Sequence, residues 1–338
     1  MLKLFCNGDR ANFKIHSDFY YIDTGVDIFE CKAREVLKKR KEKILVGDFV
    51  EFGGGYIEKI ITRKNFISRP AVSNIDQIII VSALKEPDLN FQQLNRYLAL
   101  AKYYEIPSVL CFNKDDLDFD KTLKKRIHDI YEKLGYKIVY TSATEHSGIK
   151  AFEKLLKDKT SVLCGNSGVG KSSLINAINP NLNLRTKEVS EKTQRGTHTT
   201  RHCEIIKINE TSRIVDTPGF SNVKFDFILP ADVDLLFDEI AKYRDGCKYA
   251  DCIHFHEDGC NVIAHLEDID ETRYDSYLAF VEEAKEYKER IKYEGRKTET
   301  SQKNVYNRQV AKISGKKREN ARNTLKQRIY KEINNEDE

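Results

Sequence analysis

Two short stretches stand in an unexpected order. Gly165-Asn166-Ser167-Gly168-Val169-Gly170-Lys171-Ser172 is a complete phosphate-binding loop of the G-x4-G-K-S type. Asn113-Lys114-Asp115-Asp116, a base-reading Asn-Lys-x-Asp tetrapeptide, begins 52 positions before it. Domains that use both motifs normally meet the phosphate loop first. The two must converge on one ligand, so the chain is restricted to an α/β nucleotide-binding sheet whose usual connections are circularly permuted.

The surrounding pattern agrees. From about residue 74, apolar strand-like runs alternate with amphipathic helical stretches, the signature of a parallel sheet with crossover helices. Gln77 to Leu84 reads as a strand, Phe91 to Tyr104 as a helix, and Pro107 to Phe112 as a strand ending on Asn113. A helix over 121–134, a strand from Tyr136 to Tyr140, a helix over 149–157 and a strand from Ser161 to Cys164 lead into the phosphate loop, and a helix over 171–178 follows it. Each motif thus lies just past the carboxyl end of a strand, where open α/β sheets bind ligands. The polar stretch 181–202 reads as a mobile loop, followed by strands over Cys203 to Ile208 and Ser212 to Val215.

Before this region, residues 1–70 show short β-like runs between glycine turns: Phe19 to Ile22, Ile28 to Cys31, Asp48 to Phe52 and Tyr56 to Ile60. They predict a small β-barrel. Its loop Lys32 to Lys43 holds seven Lys/Arg against two Glu, either a solvated hairpin tip or a cationic loop for nucleic acid. The expected domains are 1–70, 71–228, 229–295 and a tail at 296–338. In the third, Asp232 to Tyr243 reads as a helix before a cysteine cluster, and Glu271 to about Lys292 as a long helix. The net charge of +4 conceals an asymmetry, because Arg296 to Lys331 carries 12 Lys/Arg against 2 Glu. That tail is expected to be disordered, or a helix that orders on a charged partner.

The phosphate loop predicts its chemistry directly. Glycines let backbone N–H groups turn toward phosphates, Lys171 reaches the β- and γ-phosphates, and the Ser172 hydroxyl, with Ser173 next to it, lies where Mg²⁺ accompanies a nucleotide. Asp116 selects the base, since a carboxylate accepts from both N1–H and the exocyclic amine of guanine. Asn113 and Lys114 support that loop, and Thr141-Ser142-Ala143 follows the next strand as a backbone contact for the guanine oxygen. Asp216-Thr217-Pro218-Gly219 adds a strand-end carboxylate for Mg²⁺ and a glycine N–H that can sense the γ-phosphate. Thr199 and Thr200 are alternatives for closing over the metal, Thr200 being favoured. Phe220 occupies the position where many such enzymes carry a water-orienting glutamine. His198, in Arg195-Gly196-Thr197-His198-Thr199-Thr200, is the internal substitute, because a neutral imidazole can orient water or accept its proton near pH 7.

Eight cysteines in a chain with no signal-peptide pattern and no run of about 18 apolar residues predict a cytoplasmic protein with thiols and metal rather than disulfides. Cys111 and Cys164 fall in apolar strands and read as small buried hydrophobes. Cys247-x4-Cys252-x-His254-x5-Cys260 offers three thiolates and an imidazole, the ligand set of one structural Zn²⁺, with His256 as the alternative imidazole.

The order Asn113-Lys114-x-Asp116, Thr141-Ser142-Ala143, Gly165 to Ser172, Arg195 to Thr200 and Asp216 to Gly219, behind a barrel and before a Cys3His cluster, closely resembles the ribosome small subunit-dependent GTPase A family. The resemblance covers nearly the whole chain apart from the tail. It implies an N-terminal oligonucleotide-binding (OB-fold) β-barrel, a central circularly permuted α/β P-loop GTPase domain and a C-terminal zinc-binding, mostly helical domain. It further implies GTP hydrolysis to GDP with Mg²⁺, stimulated by the small (30S) ribosomal subunit and assisting its late maturation, with 16S rRNA as partner, no membrane and a monomeric state. The family assigns catalysis to the histidine matching His198. The alternatives are a constitutive RNA-binding scaffold with a structural nucleotide and a small-molecule kinase. The permuted order also predicts that γ-phosphate-dependent movement near Asp216 to Gly219 passes covalently into the zinc domain.

Overall fold

A computed structural model describes residues 11–16, 18–39, 42–68, 70–118, 122–184, 204–216, 224–294, 302–305 and 308–311. The chain divides into two units, Met1–Asn222 with Ile333–Glu338, and Val223–Glu332.

The first unit opens with strands β1 (Ala11–His16), β2 (Phe19–Asp23), β3 (Ile28–Ala33), β4 (Val50–Gly53) and β5 (Tyr56–Ile60) in the spatial order β1-β2-β3-β5-β4. β3 runs parallel to β5 and the other neighbours are antiparallel, giving a five-stranded, partly open barrel of the oligonucleotide-binding kind. Alternation along the strands sends Ile22, Cys31, Val50, Phe52 and Ile57 inward. The basic loop is not a plain hairpin tip: Glu35–Lys39 forms helix α1, because Leu37 is buried in the barrel core while its charged neighbours Glu35 and Lys39 face solvent.

A buried ion pair holds the barrel's exit. Asp48 is fully buried and accepts from Arg63 Nε at 2.7 Å and Nη2 at 2.8 Å, from Ser73 Oγ at 2.6 Å and from the Leu45 N–H at 2.7 Å. Gly47 beside it has φ 94°, and a Cβ there would lie 2.2 Å from the Ser73 carbonyl oxygen. The segment that leaves the barrel, with the short strands β6 (Phe66–Ile67) and β7 (Val72–Ser73), is therefore fixed before the second layer begins.

That layer is a six-stranded sheet in the order β10-β9-β8-β11-β13-β12. The strands are β8 (Gln77–Ala83), β9 (Ser108–Asn113), β10 (Lys137–Tyr140), β11 (Thr160–Cys164), β12 (Glu204–Lys207) and β13 (Arg213–Asp216); all neighbours are parallel except β12 with β13. From β8 the chain steps outward to β9 and β10 through α2 (Phe91–Tyr103) and α3 (Thr122–Ile127), which continues as a π-helical turn over His128–Glu132. It returns through α4 (Ile149–Leu156) to the other side of β8, then enters α5 (Lys171–Ile178). The reversal of direction between β8 and β11 is the topological switch point at which such sheets hold ligands. Strands β8 and β11 are almost wholly buried, and Ile79, Val81 and Leu163 pack with Phe152, Leu156 and Leu174 of α4 and α5. β1 pairs antiparallel with β12, Lys14 opposite Glu204 with their side chains 3.0 Å apart, so barrel and sheet share one hydrogen-bonded ladder.

In the second unit an aromatic core of Phe225, Phe227, Phe237, Tyr277 and Phe280 lies against α7 (Glu271–Glu294). The single helix expected over 232–243 is instead a 3-10 segment, Pro230–Leu236, and a short helix α6 (Asp238–Ala241). Phe237 between them is extended, at φ −126°, and fully buried, with its ring centroid 5.8 Å from that of Tyr277 and 5.9 Å from that of Phe280. Burying that ring interrupts the helix. In the tail, Gln302–Val305 and Arg308–Ala311 form an antiparallel pair, β14 and β15, so these segments are extended rather than helical. Valines at 305 and 310 favour extended backbone, and pairing satisfies the peptide groups of both short segments. Among the described residues no helix is long and apolar enough to cross a membrane.

The buried pair dictates one outcome. Asp48→Ala leaves the Arg63 guanidinium without its partner and lowers unfolding free energy by about 3–5 kcal/mol, read by urea denaturation. A loss below about 1 kcal/mol would show that the pair is dispensable.

Candidate nucleotide site and metal centre

The carboxyl ends of β8, β9, β10 and β11 bring the sequence motifs together. Asn113, the last residue of β9, is buried and its side-chain amide bonds in three directions. Its Nδ2 donates to the Val169 carbonyl of the phosphate loop at 2.9 Å, while its Oδ1 accepts from Thr141 Oγ1 at 3.2 Å and the Ala143 N–H at 3.3 Å. One amide therefore joins three segments that are far apart in the chain. Backbone bonds reinforce it, from Thr141 N–H to Phe112 and from Asp115 N–H to Thr141.

The phosphate loop follows β11 and precedes α5, as its motif requires. Gly165, Gly168 and Gly170 all have positive φ, at 145°, 82° and 92°. A Cβ at Gly165 would lie 2.0 Å from the Val81 carbonyl oxygen and one at Gly170 2.2 Å from Asn113 Nδ2, so no side chain fits at either. Lys171 folds over its own loop, donating to the carbonyls of Gly165 at 2.7 Å and Asn166 at 2.8 Å. Asn166 Oδ1 accepts from the Tyr97 hydroxyl of α2 at 3.1 Å. Ser172 and Ser173 occupy the first turn of α5.

On the base side, Lys114 adopts the left-handed conformation at φ 61° and its ammonium contacts the Glu86 carbonyl. Asp116 Oδ1 is buried and has no hydrogen-bond partner, an orphaned acceptor, and Thr141 and Ser142 are buried as well. An unpaired buried carboxylate oxygen carries a desolvation cost that a two-donor base edge would remove. The loop after Ser142 is closed by its N–H to the Ser147 carbonyl at 3.0 Å and by Gly148, at φ 70°, whose Cβ would lie 2.1 Å from the Tyr140 carbonyl oxygen. Burial pushes the Cys111 thiol up to about 12 and raises Cys164 as well, so both behave as neutral core groups, as their apolar settings suggested.

Asp216 ends β13, paired with Glu204. His198, Thr199, Thr200, Gly219 and Phe220 lie outside the described residues.

In the second unit Cys247, Cys252, His254 and Cys260 place their ligand atoms within 4.8 Å of one another. Zn–S bonds of about 2.3 Å and a Zn–N bond of about 2.05 Å in a tetrahedron require S–S edges of roughly 3.8 Å and S–N edges of roughly 3.6 Å. Cys247 and Cys260 Sγ are 3.9 Å apart, and His254 Nδ1 is 3.5 and 3.4 Å from them, so the donor set fits Zn²⁺. His256 is exposed and outside the group. His254 is held by three features that local sequence does not announce. Its Nε2 is 3.1 Å from Asp234 Oδ2, which Arg244 Nε approaches at 3.2 Å; its carbonyl accepts from Tyr274 at 2.7 Å; and its φ is 55°. With Nε2 facing a carboxylate, Nδ1 is left as the metal-binding nitrogen. Burial alone would raise Glu257, yet the N–H groups of Ile253, Phe255 and His256 hold its carboxyl below the usual range, and the turn between the ligands is tied to that carboxylate. Asp234 and Glu257 had no sequence signal, being ordinary acids 20 residues before and three residues after His254.

Burial pushes the Cys252 thiol up to about 12 and raises Cys260, so a metal must displace protons there. Zinc affinity should accordingly fall as pH is lowered from 8 to 6, with proton release on binding, measured by competition with a chromophoric chelator. Asp234→Ala should weaken zinc by about 10- to 100-fold in the same assay. Unchanged affinity would mean that the carboxylate does not orient His254.

A family model described as RsgA GTPase matches residues 60–226, and one described as RsgA N-terminal domain matches 12–55. A third, described as 50S ribosome-binding GTPase, matches 160–305; it begins at the strand before the phosphate loop and leaves Asn113 outside, as a permuted order requires. The small ribosomal subunit biogenesis GTPase RsgA of Alkaliphilus metalliredigens is 38% identical over 276 residues, covering 79% of this chain and 94% of the relative. That of Agathobacter rectalis is 39% identical over 271 residues, covering 78% and 89%. The crystal structure of YjeQ from Thermotoga maritima is 35% identical, with a TM-score of 0.69 over 81% of this chain and 97% of that one. YloQ, a circularly permuted GTPase, is 30% identical, with a TM-score of 0.66 over 82% and 94%. Family models over most of the chain, and relatives of 38–39% identity that are themselves covered to 89–94%, show that the chain belongs to the RsgA GTPase family.

Proposed function

We propose that this protein is a Mg²⁺-dependent GTPase that binds the small ribosomal subunit through rRNA and hydrolyses GTP to GDP and phosphate during late maturation of that subunit. The observation that carries the guanine specificity is the buried, partnerless Asp116 Oδ1, fixed one loop away from a phosphate loop by Asn113. Family membership supports hydrolysis and the ribosomal partner. The RNA-binding barrel spans 1–70, the permuted GTPase domain 71–228, the zinc domain 229–295 and the basic tail 296–338, and the protein acts as a monomer.

The residues divide the work as follows. Backbone N–H groups from Gly165 to Gly170 receive the phosphates, and Lys171 leaves the carbonyls of Gly165 and Asn166 to neutralise the β- and γ-oxygens. Ser172, Asp216 and Thr200 would hold Mg²⁺, which would supply positive charge to the phosphate oxygens. Asp116 accepts from the guanine edge, supported by Asn113, Lys114 and the Thr141-Ser142-Ala143 loop. His198 orients the attacking water in place of the glutamine that Phe220 replaces, and Gly219 senses the γ-phosphate. Cys247, Cys252, His254 and Cys260 bind zinc as a structural staple, since four protein ligands leave no open position.

GTP turnover measured with and without purified small subunits should rise on their addition, and GTP should outcompete ATP for the site. His198→Ala should lower kcat by about a hundredfold or more while sparing GTP affinity; undiminished turnover on the subunit would assign the water to another group. Subunit binding should weaken steeply with salt if Lys38 to Lys43 and the tail contact phosphates.

A further inference from the structure

The phosphate loop has an attachment that its motif does not contain. Tyr97, in the middle of α2, is buried, and its hydroxyl donates to Asn166 Oδ1 at 3.1 Å. A buried tyrosine hydroxyl needs a polar partner, and any carbonyl would satisfy that need. Here one partner is the second residue of the loop, beside the Gln93 side chain of α2, and the same loop residue's carbonyl accepts from Lys171 Nζ at 2.8 Å. The two contacts meet on Asn166, one through its side chain and one through its backbone.

The rest of the loop shows why such a tie matters. Gly165 is wedged against the Val81 carbonyl and the Val169 carbonyl is held by Asn113, so both flanks of the loop are fixed by the sheet. Asn166 lies between them, next to a glycine at φ 145° that has little conformational preference of its own. On this side the loop borders a cleft lined by Ser82, Pro87, Asn90, Gln93, Tyr97 and Asn166. Burial pushes the Tyr97 phenol up to about 12, so it remains a hydrogen donor at neutral pH.

We infer that Tyr97 is a positioning residue for nucleotide binding, acting through the Asn166 side chain to hold the backbone of the phosphate loop in the receiving arrangement before the nucleotide arrives. The inference rests on the guanine-nucleotide reading above. Preorganisation of this kind lowers the ordering cost for GTP and GDP alike, so it acts on affinity rather than on the chemical step.

The test compares the full chain with its Tyr97→Phe, Asn166→Ala and doubly substituted forms, using a fluorescent GDP analogue for binding, steady-state GTP hydrolysis for kcat and KM, and thermal melting for stability. Each single substitution should raise the Kd for GDP and the KM for GTP about three- to tenfold, the size of one neutral hydrogen bond. kcat should stay within about twofold, because the lost binding is uniform. Phe at 97 keeps the ring in the core, so melting should not move. The double form should bind no more weakly than Asn166→Ala alone, since both remove the same bond. Should Tyr97→Phe fail to fold, Asn166→Ala on the loop still carries the expected rise. Unchanged affinity in the singles, or penalties that add in the double form, overturns the inference alone. A parent protein that binds no GDP overturns the guanine-nucleotide reading and this inference with it.

Discussion

The Asn113 side chain is the point at which this molecule's unusual connectivity becomes a site. Its amide is buried at the end of β9, with the Val169 carbonyl on one side and Thr141 and Ala143 on the other. Donor and acceptor both find partners, which a buried amide requires. The three segments come from β9, from the turn after β10 and from the turn after β11, on both sides of the switch point. The amide is a direct side-chain link between base loop and phosphate loop. Gly170 makes the link possible, because any larger residue would occupy the space of Asn113 Nδ2.

This dependence explains why the order of motifs in the chain matters so little to the ligand. Strand order and direction in the sheet decide which loops are neighbours, and hydrogen bonds such as those of Asn113 are indifferent to the covalent route between them. What permutation changes is what hangs from each end of the sheet. The barrel enters through the Asp48–Arg63 clamp and pairs its first strand with β12, so its hydrogen-bond ladder is continuous with the edge of the nucleotide sheet. After β13 the chain proceeds into the unit that holds the Cys3His cluster. There the same logic recurs on a smaller scale, with Asp234, from a 3-10 turn, fixing the ring of His254 across 20 residues of sequence.

Much of this was readable from residue order. The alternation of apolar runs and amphipathic helices between 77 and 178 placed every strand to within a residue or two of where it lies, because parallel strands buried on both faces leave a continuous apolar trace; the 3-10 turn Asp115–Leu117 and the change to a π-helix after Ile127 left no such trace. The zinc ligands were readable because thiolates and imidazole at close spacing have few other uses. The failures have physical causes. The expected helix over 232–243 breaks where burial of Phe237 outweighs helical propensity, and α1 was hidden inside a basic loop because a single leucine, Leu37, supplies its contact with the barrel core. The paired strands Gln302–Val305 and Arg308–Ala311 have too few apolar residues for periodicity to show.

By itself the sequence determined the chemistry available: a phosphate loop, the carboxylate of an Asn-Lys-x-Asp tetrapeptide, a Cys3His donor set, and an order that only a permuted sheet can accommodate. Those depend on residue identity and local spacing, which are written in the chain. Tertiary structure alone decided which imidazole joins the thiolates, which acceptor is left buried and open at Asp116, and which side chains outside every motif, Tyr97, Asp234 and Glu257, hold the motif residues in place. Such contacts depend on distances of about 3 Å between groups tens of residues apart, and no local pattern encodes them. They exist only once the sheet order has brought its loops together.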